Sequence, residues 1–263
     1  MKLPILFLML LSGACANAPP AGFDRTSDNP IEEGRRLSLV LGCNGCHGND
    51  LTGRDWSDQF GVLWTANLTR SAETNSRAAF SSLIVSGRRL DRDLWDMPSY
   101  LFTQLTPGEL DAVVSYSRSV PATGAVHPPP APGPELQKLA REGEYLSSAQ
   151  RVRRDGATRS PDAGPNHRRA QHMVRATCAE CHRIDLRGGT DPIGGKTMPD
   201  LVQMAAAYTK ADFERLLTTG IATGGRKVGL MTEVATGRFR HLTPSERAAI
   251  FAYLQALSAK TAI

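Results

Sequence analysis

The pattern Cys-x-x-Cys-His occurs twice, as Cys43-Asn44-Gly45-Cys46-His47 and as Cys178-Ala179-Glu180-Cys181-His182. No other feature constrains the chain as strongly. Two sulfurs and an adjacent imidazole at this spacing suit c-type haem attachment, in which the thiols become thioethers to the vinyl groups and the imidazole reaches the iron. A thioredoxin-like redox pair does not need a histidine at the next position. A four-cysteine zinc site assembled from both pairs would leave each neighbouring histidine without a role. The pattern therefore predicts two covalently attached haem c groups, bound through Cys43, Cys46, Cys178 and Cys181, with His47 and His182 as proximal iron ligands.

The 263 residues allow two modest domains, with one motif in each half. Aromatic residues make up only 6%, so each half would have a thin core that a buried haem would complete. Of the five cysteines, Cys15 alone lies outside the motifs, within the leader. That leader, residues 1–18, runs from Met1-Lys2 through an apolar stretch from Leu3 to Leu11 to small residues ending at Ala18. It reads as a secretory signal, too short for a stable membrane span. Two processing routes fit. Ala14-Cys15-Ala16 satisfies a small-x-small cleavage rule, and Leu11-Ser12-Gly13-Ala14-Cys15 approximates a lipobox that would lipidate Cys15. The mature chain is thus expected in the periplasm, with lipidated Cys15 as the route to membrane association. Net charge is +5, and most bases lie in the second half. An exported haem protein has little use for nucleic acid. The basic half would face an acidic protein patch or anionic lipid, or would simply be a solvated surface.

The halves repeat one another. His47 leads to Leu51 and Gly53 as His182 leads to Leu186 and Gly188, and Leu68 and Leu201 fall in matching turns. Phe80 precedes Gly87 as Phe213 precedes Gly220. Each half ends in Leu-Thr-Pro-x-Glu, with Thr106 or Thr243 as N-cap, proline at the first helical position and Glu109 or Glu246 closing a capping box. The following helices would bury Val113, Val114 and Val120, and Ile250, Leu254 and Leu257. A helix from Asn29-Pro30 to Leu41 would deliver the first motif, and its counterpart would begin at Pro134. No stretch alternates as a strand, so the expected fold is all-α. Domain 1 would span 19–120 and domain 2 would span 135–263. Between them, residues 121–134 are a Pro-rich extended linker. Residues 147–172 read as an Arg-rich insert, a mobile basic loop that is either a docking surface or without a role.

The sixth iron ligand separates electron transfer from catalysis, because a methionine thioether fills the position that small-molecule chemistry would need. Met97 lies 50 residues past His47 and Met231 lies 49 past His182, which makes them the natural axial pair. Met198, His241 and His172 are lesser candidates in the second half. Trp56, Trp64 and Trp95 would line or cover the first haem.

These residues, together with Ala66-Asn67-Leu68-Thr69, Met97-Pro98 and Tyr116/Tyr253, resemble a tandem di-haem member of the class I cytochrome c family. They are particularly similar to the cytochrome c subunits of bacterial alcohol and sugar dehydrogenases. The resemblance implies a few helices around each haem, His/Met ligation and electron carriage between redox proteins: a dehydrogenase, an oxidase or another cytochrome. Met231 departs from the pattern because Thr232-Glu233, not proline, follows it. The alternative is an enzyme like a di-haem cytochrome c peroxidase, which would need one altered site, whereas the two halves run parallel.

Overall fold

The computed structural model describes residues 22–190 and 195–261; the leader and Cys15 lie outside the described residues. The chain is mostly helical, as the repeat and the absence of strand alternation led us to expect. Helix α1, Pro30–Leu41, starts where the Asn29 side chain accepts the Ile31 amide at 2.9 Å. It stops at Gly42, whose left-handed backbone turns the chain into α2, Cys43–His47. A short strand β1, Gly61–Val62, is followed by α3, Leu68–Thr74, and α4, Arg77–Ser86. Next come α5, Ser99–Phe102, and α6, Pro107–Ser119. The capping box forms as read: the Glu109 amide donates to Thr106 Oγ1 at 3.3 Å and the Thr106 amide to Glu109 Oε2 at 2.8 Å. Helix α6 packs across α1 and buries Val113 and Val114, while Val120 at its end stays half-buried.

Residues 121–155 make contacts with the first half. Strand β2, Ala131–Pro132, pairs antiparallel with β1, setting Gly61 opposite Pro132. The Asn67 side-chain amide donates to the carbonyls of Thr123 and Ala125 at 2.7 and 3.0 Å. His127 Nε2 donates to Thr52 O at 2.7 Å while its ring stacks on Trp64 at 4.1 Å. The Pro-rich segment is therefore sewn along the first half. Helix α7, Pro134–Glu142, follows on the same side, and Tyr145 stacks on Trp95 and donates to Asp96 at 3.0 Å.

The Arg-rich stretch is not a free loop. It forms α8, Ser148–Asp155, started by a Ser147/Gln150 capping box and packed on α5. Arg151 lies over the Tyr100 ring at 4.1 Å and donates to its hydroxyl. The glycines and prolines that signalled a loop all fall after this helix, between 156 and 165.

The helix delivering the second motif is α9, Arg168–Thr177, and not the one beginning at Pro134. Helix α9 runs into α10, Ala179–His182. Strands β3, Gly189–Thr190, and β4, Thr197–Met198, pair beside it. Then come α11, Leu201–Ala205; α12, Lys210–Thr219; α13, Leu230–Gly237; and α14, Pro244–Thr261. Helix α14 carries the second capping box, with the Thr243 amide donating to Glu246 Oε2 at 2.7 Å. It packs on α9 as α6 packs on α1, burying Ile250, Tyr253, Leu254 and Leu257. Burying such side chains contributes about 1.5–3 kcal/mol each.

One apolar cluster runs through both halves, joining Leu37, Val40 and Leu101 to Met173, Val174 and Leu254. The two capping boxes meet across it. Glu109 accepts the Phe23 amide at 2.8 Å and faces His172 of α9 at 2.9 Å. Glu246 accepts the Asp24 amide at 2.7 Å and pairs with Arg36 of α1 at 3.0 Å. Each cap glutamate thus holds a basic side chain from the opposite half, and residues 23 and 24 tie both.

Two candidate haem cavities

Each motif is followed by the same backbone device. In the first, the Gly53 amide returns to His47 O at 2.8 Å, and the Leu68 amide bonds Leu51 O at 2.8 Å. In the second, Gly188 returns to His182 O at 3.0 Å, and Leu201 bonds Leu186 O at 2.9 Å. Leu51 and Leu186 both take left-handed backbone, at φ 61° and 62°, and both are buried. A leucine in that region is strained by roughly 1–2 kcal/mol, and the surrounding turn holds it there. The loop ends at an N-cap, Asn67 or Asp200, whose side chain accepts the first amides of α3 or α11.

This device fixes the imidazoles. His47 Nδ1 bonds Ala66 O at 2.8 Å and His182 Nδ1 bonds Pro199 O at 2.8 Å. A carbonyl can only accept, so Nδ1 carries the proton and Nε2 keeps the lone pair that a metal needs. Burial lowers both histidine pKa values, outweighing the opposing effect of the carbonyl bond. The rings are therefore neutral, which is the ligating form. Burial pushes the Cys43 thiol up to about 11, opposite to the depression a redox-active Cys-x-x-Cys pair requires.

The sulfurs divide two and two. Cys43, Cys46, His47 and Met97 line one cavity of about 650 Å³. Cys178, Cys181, His182 and Met231 line another of about 440 Å³. Both volumes lie within the roughly 300–1,000 Å³ of cofactor pockets. Four cysteines shared between separate cavities do not make a single zinc site. The donor set suits haem in each: two sulfurs within one motif, a neutral imidazole held by its outer nitrogen, and a thioether lining the same cavity.

The methionines are positioned by related means. The Leu94 amide bonds Gly87 O at 2.8 Å, tying the segment before Met97 to the end of α4. Met231 sits in the first turn of α13, where the Thr232 hydroxyl donates to Gly220 O at 2.8 Å, at the end of α12. Thr232 thus makes the tie beside Met231, in the place where Pro98 follows Met97. Met198 also lines the second cavity, but it directly precedes Pro199, whose carbonyl holds the outer nitrogen of His182. That attachment puts Met198 on the histidine's own side. His172 is engaged by Glu109, and neither it nor His241 is among the described residues lining either cavity.

All three tryptophans line the first cavity, joined there by His127, Pro128 and Tyr145 from the Pro-rich segment and its sequel. Sequence reasoning missed these last residues, and it had no signal for the two carbonyls beyond the parallel spacing of the turns. No curated protein matches the chain. The family model for cytochrome c matches residues 167–258, the stretch holding Cys178, Cys181, His182 and Met231. Residues 167–258 therefore match a cytochrome c domain.

Proposed function

We propose that the chain is a di-haem c-type cytochrome, exported to the periplasm, that passes electrons singly between redox proteins. The cytochrome c domain supports a haem-based electron-transfer role. The observation that carries the second haem is the first half's duplicate of the site: His47 on Ala66 O matches His182 on Pro199 O at the same 2.8 Å. Cys43, Cys46, His47 and Met97 would hold one haem, and Cys178, Cys181, His182 and Met231 the other. Bound there, haem supplies a one-electron iron couple. The protein's own share is to keep each imidazole neutral and oriented and to surround the ring with apolar walls. Met97 and Met231 would supply a thioether where a small molecule would otherwise bind. The resemblance to dehydrogenase cytochrome subunits suggests a dehydrogenase as donor and the respiratory chain as acceptor.

Intact mass measures this directly. The expected result is a mature chain carrying two haems, one lost in Cys43→Ala/Cys46→Ala and the other in Cys178→Ala/Cys181→Ala. A chain with a single haem that survives the first double substitution would overturn the reading. Met97→Ala and Met231→Ala should each remove part of the long-wavelength sulfur-to-iron band. Peroxide turnover by the unsubstituted protein would favour the peroxidase alternative.

A further inference from the structure

Glu180 is one of the two residues between the cysteines of the second motif, yet it lines the first cavity beside Cys43 and Cys46. Arg238, directly after the helix that carries Met231, lines the second cavity. The two side chains pair at 2.7 Å, the guanidinium mostly buried. The same guanidinium donates to the carbonyls of Leu41 at 3.0 Å and Val40 at 3.3 Å, the last residues of α1 before the first motif. It lies flat on Gly42, where a Cβ would come within 2.5 Å of its central carbon. A single ion pair therefore stands between the cavities: Glu180 lines the first, and Arg238 lines the second while its guanidinium also packs on Gly42 at the edge of the first.

The remaining wall charge is also unequal. Asp58, Asp93 and Asp96 join Glu180 around the first cavity, against three arginines. Around the second, Lys196 and Arg238 face no carboxylate among the described lining residues. An iron that gives up an electron gains positive charge, which a nearby carboxylate stabilises and a nearby guanidinium opposes. Salt screens the mostly buried Glu180–Arg238 pair weakly, whereas Asp58, Asp96 and Lys196 are exposed and screened more strongly.

We infer that the Glu180–Arg238 pair makes the second-half site the stronger oxidant, so that electrons run from the first site to the second. This rests on the di-haem reading. With haem held by Cys43, Cys46 and His47 and by Cys178, Cys181 and His182, one electron would pass from a ferrous iron at the first site to a ferric iron at the second, oxidising the first and reducing the second by one electron each with no proton transferred. A one-electron donor protein would then serve the first half and a one-electron acceptor protein the second.

The test is a spectroelectrochemical titration of the full haem-loaded chain. The two one-electron waves are assigned by comparison with the Cys43→Ala/Cys46→Ala and Cys178→Ala/Cys181→Ala chains. The higher wave should belong to the second half. Glu180→Gln keeps the shape and removes the charge; it should raise the lower wave, changing the inter-site equilibrium about tenfold, or ~59 mV for one electron. Arg238→Lys, which keeps the charge, should leave the order intact, and Arg238→Met should lower the higher wave. If Arg238→Met fails to fold, Glu180→Gln decides alone. A higher wave assigned to the first half, or both waves unmoved in Glu180→Gln, would overturn the inference. Fewer than two attached haems would instead overturn the functional reading beneath it.

Discussion

Gly34 sits where α1 crosses α6, and replacing it with alanine sets two known effects against each other. Alanine is the better helix former by about 1 kcal/mol. Its Cβ, however, would come within 2.5 Å of the Ala112 carbonyl carbon and 2.9 Å of Tyr116 Cβ. Carbon–carbon contacts settle at about 3.5–4.0 Å. The obstructing atoms are backbone or the root of a side chain, so no rotamer change relieves the overlap. The helices must separate by about 1 Å, loosening Leu37 and Val40, which are now 1% and 0% exposed. Overpacking of this kind costs about 1–3 kcal/mol and occasionally more. Because neither helix can yield locally, we expect the upper end of that range, a net loss of about 2 kcal/mol after the propensity gain, or several degrees in Tm. Gly108 supplies the control. It lies in the first turn of α6, where an added methyl would meet nothing within 4 Å, so Gly108→Ala should stabilise by about 0.5–1 kcal/mol. Guanidinium unfolding of the full chain, followed by helical circular dichroism, reads both. If Gly34→Ala proves as stable as the parent, or the two substitutions shift stability in the same direction, the close crossing is not what holds α1.

Two further outcomes follow from the junction between the halves. Burial alone would raise the Glu109 pKa, but the hydrogen bond and charge of His172, with the amides of Phe23 and Thr106, hold it below its ordinary 4.5; its contribution is therefore complete above that value and lost as pH falls through the depressed one. Glu109→Gln should flatten the fall in stability below about pH 4.5, and parallel stability–pH curves for the two proteins would contradict this. Arg175, buried and pushed down to about 10 by desolvation, donates to Leu101 O and Tyr100 O from across the junction. Arg175→Met should cost about 1–3 kcal/mol through the orphaned Leu101 carbonyl, because Tyr100 O keeps the Thr103 hydroxyl; unchanged denaturation midpoints would refute it.

What could be read from the sequence was local. Thr106-Pro107-Gly108-Glu109 specifies its own hydrogen bonds, so the helix start was visible without knowing what the helix packs on. The same holds for the paired glycines at 87 and 220, which end their helices in the left-handed region. The helix beginning at Pro134 shows how local signals mislead. It has a good start and a glycine stop, but the choice between halves was made by Tyr145 on Trp95 and His127 on Trp64. Continuity offered the better clue, since the delivering helix must run directly into Cys178, as α9 does. The carbonyls of Ala66 and Pro199 carry no side-chain signature at all. Arg238 meets Glu180, Val40 and Leu41 only after the two halves dock.

The stitching of residues 121–134 along the first half changes what that stretch can be used for. A free tether sets the effective concentration of the modules it joins, and lengthening it dilutes one against the other. Here His127, the Thr123 and Ala125 carbonyls and β2 are each committed to the first half. Extra residues spliced into this stretch would dislodge a cavity wall and leave the spacing of the two halves as it was.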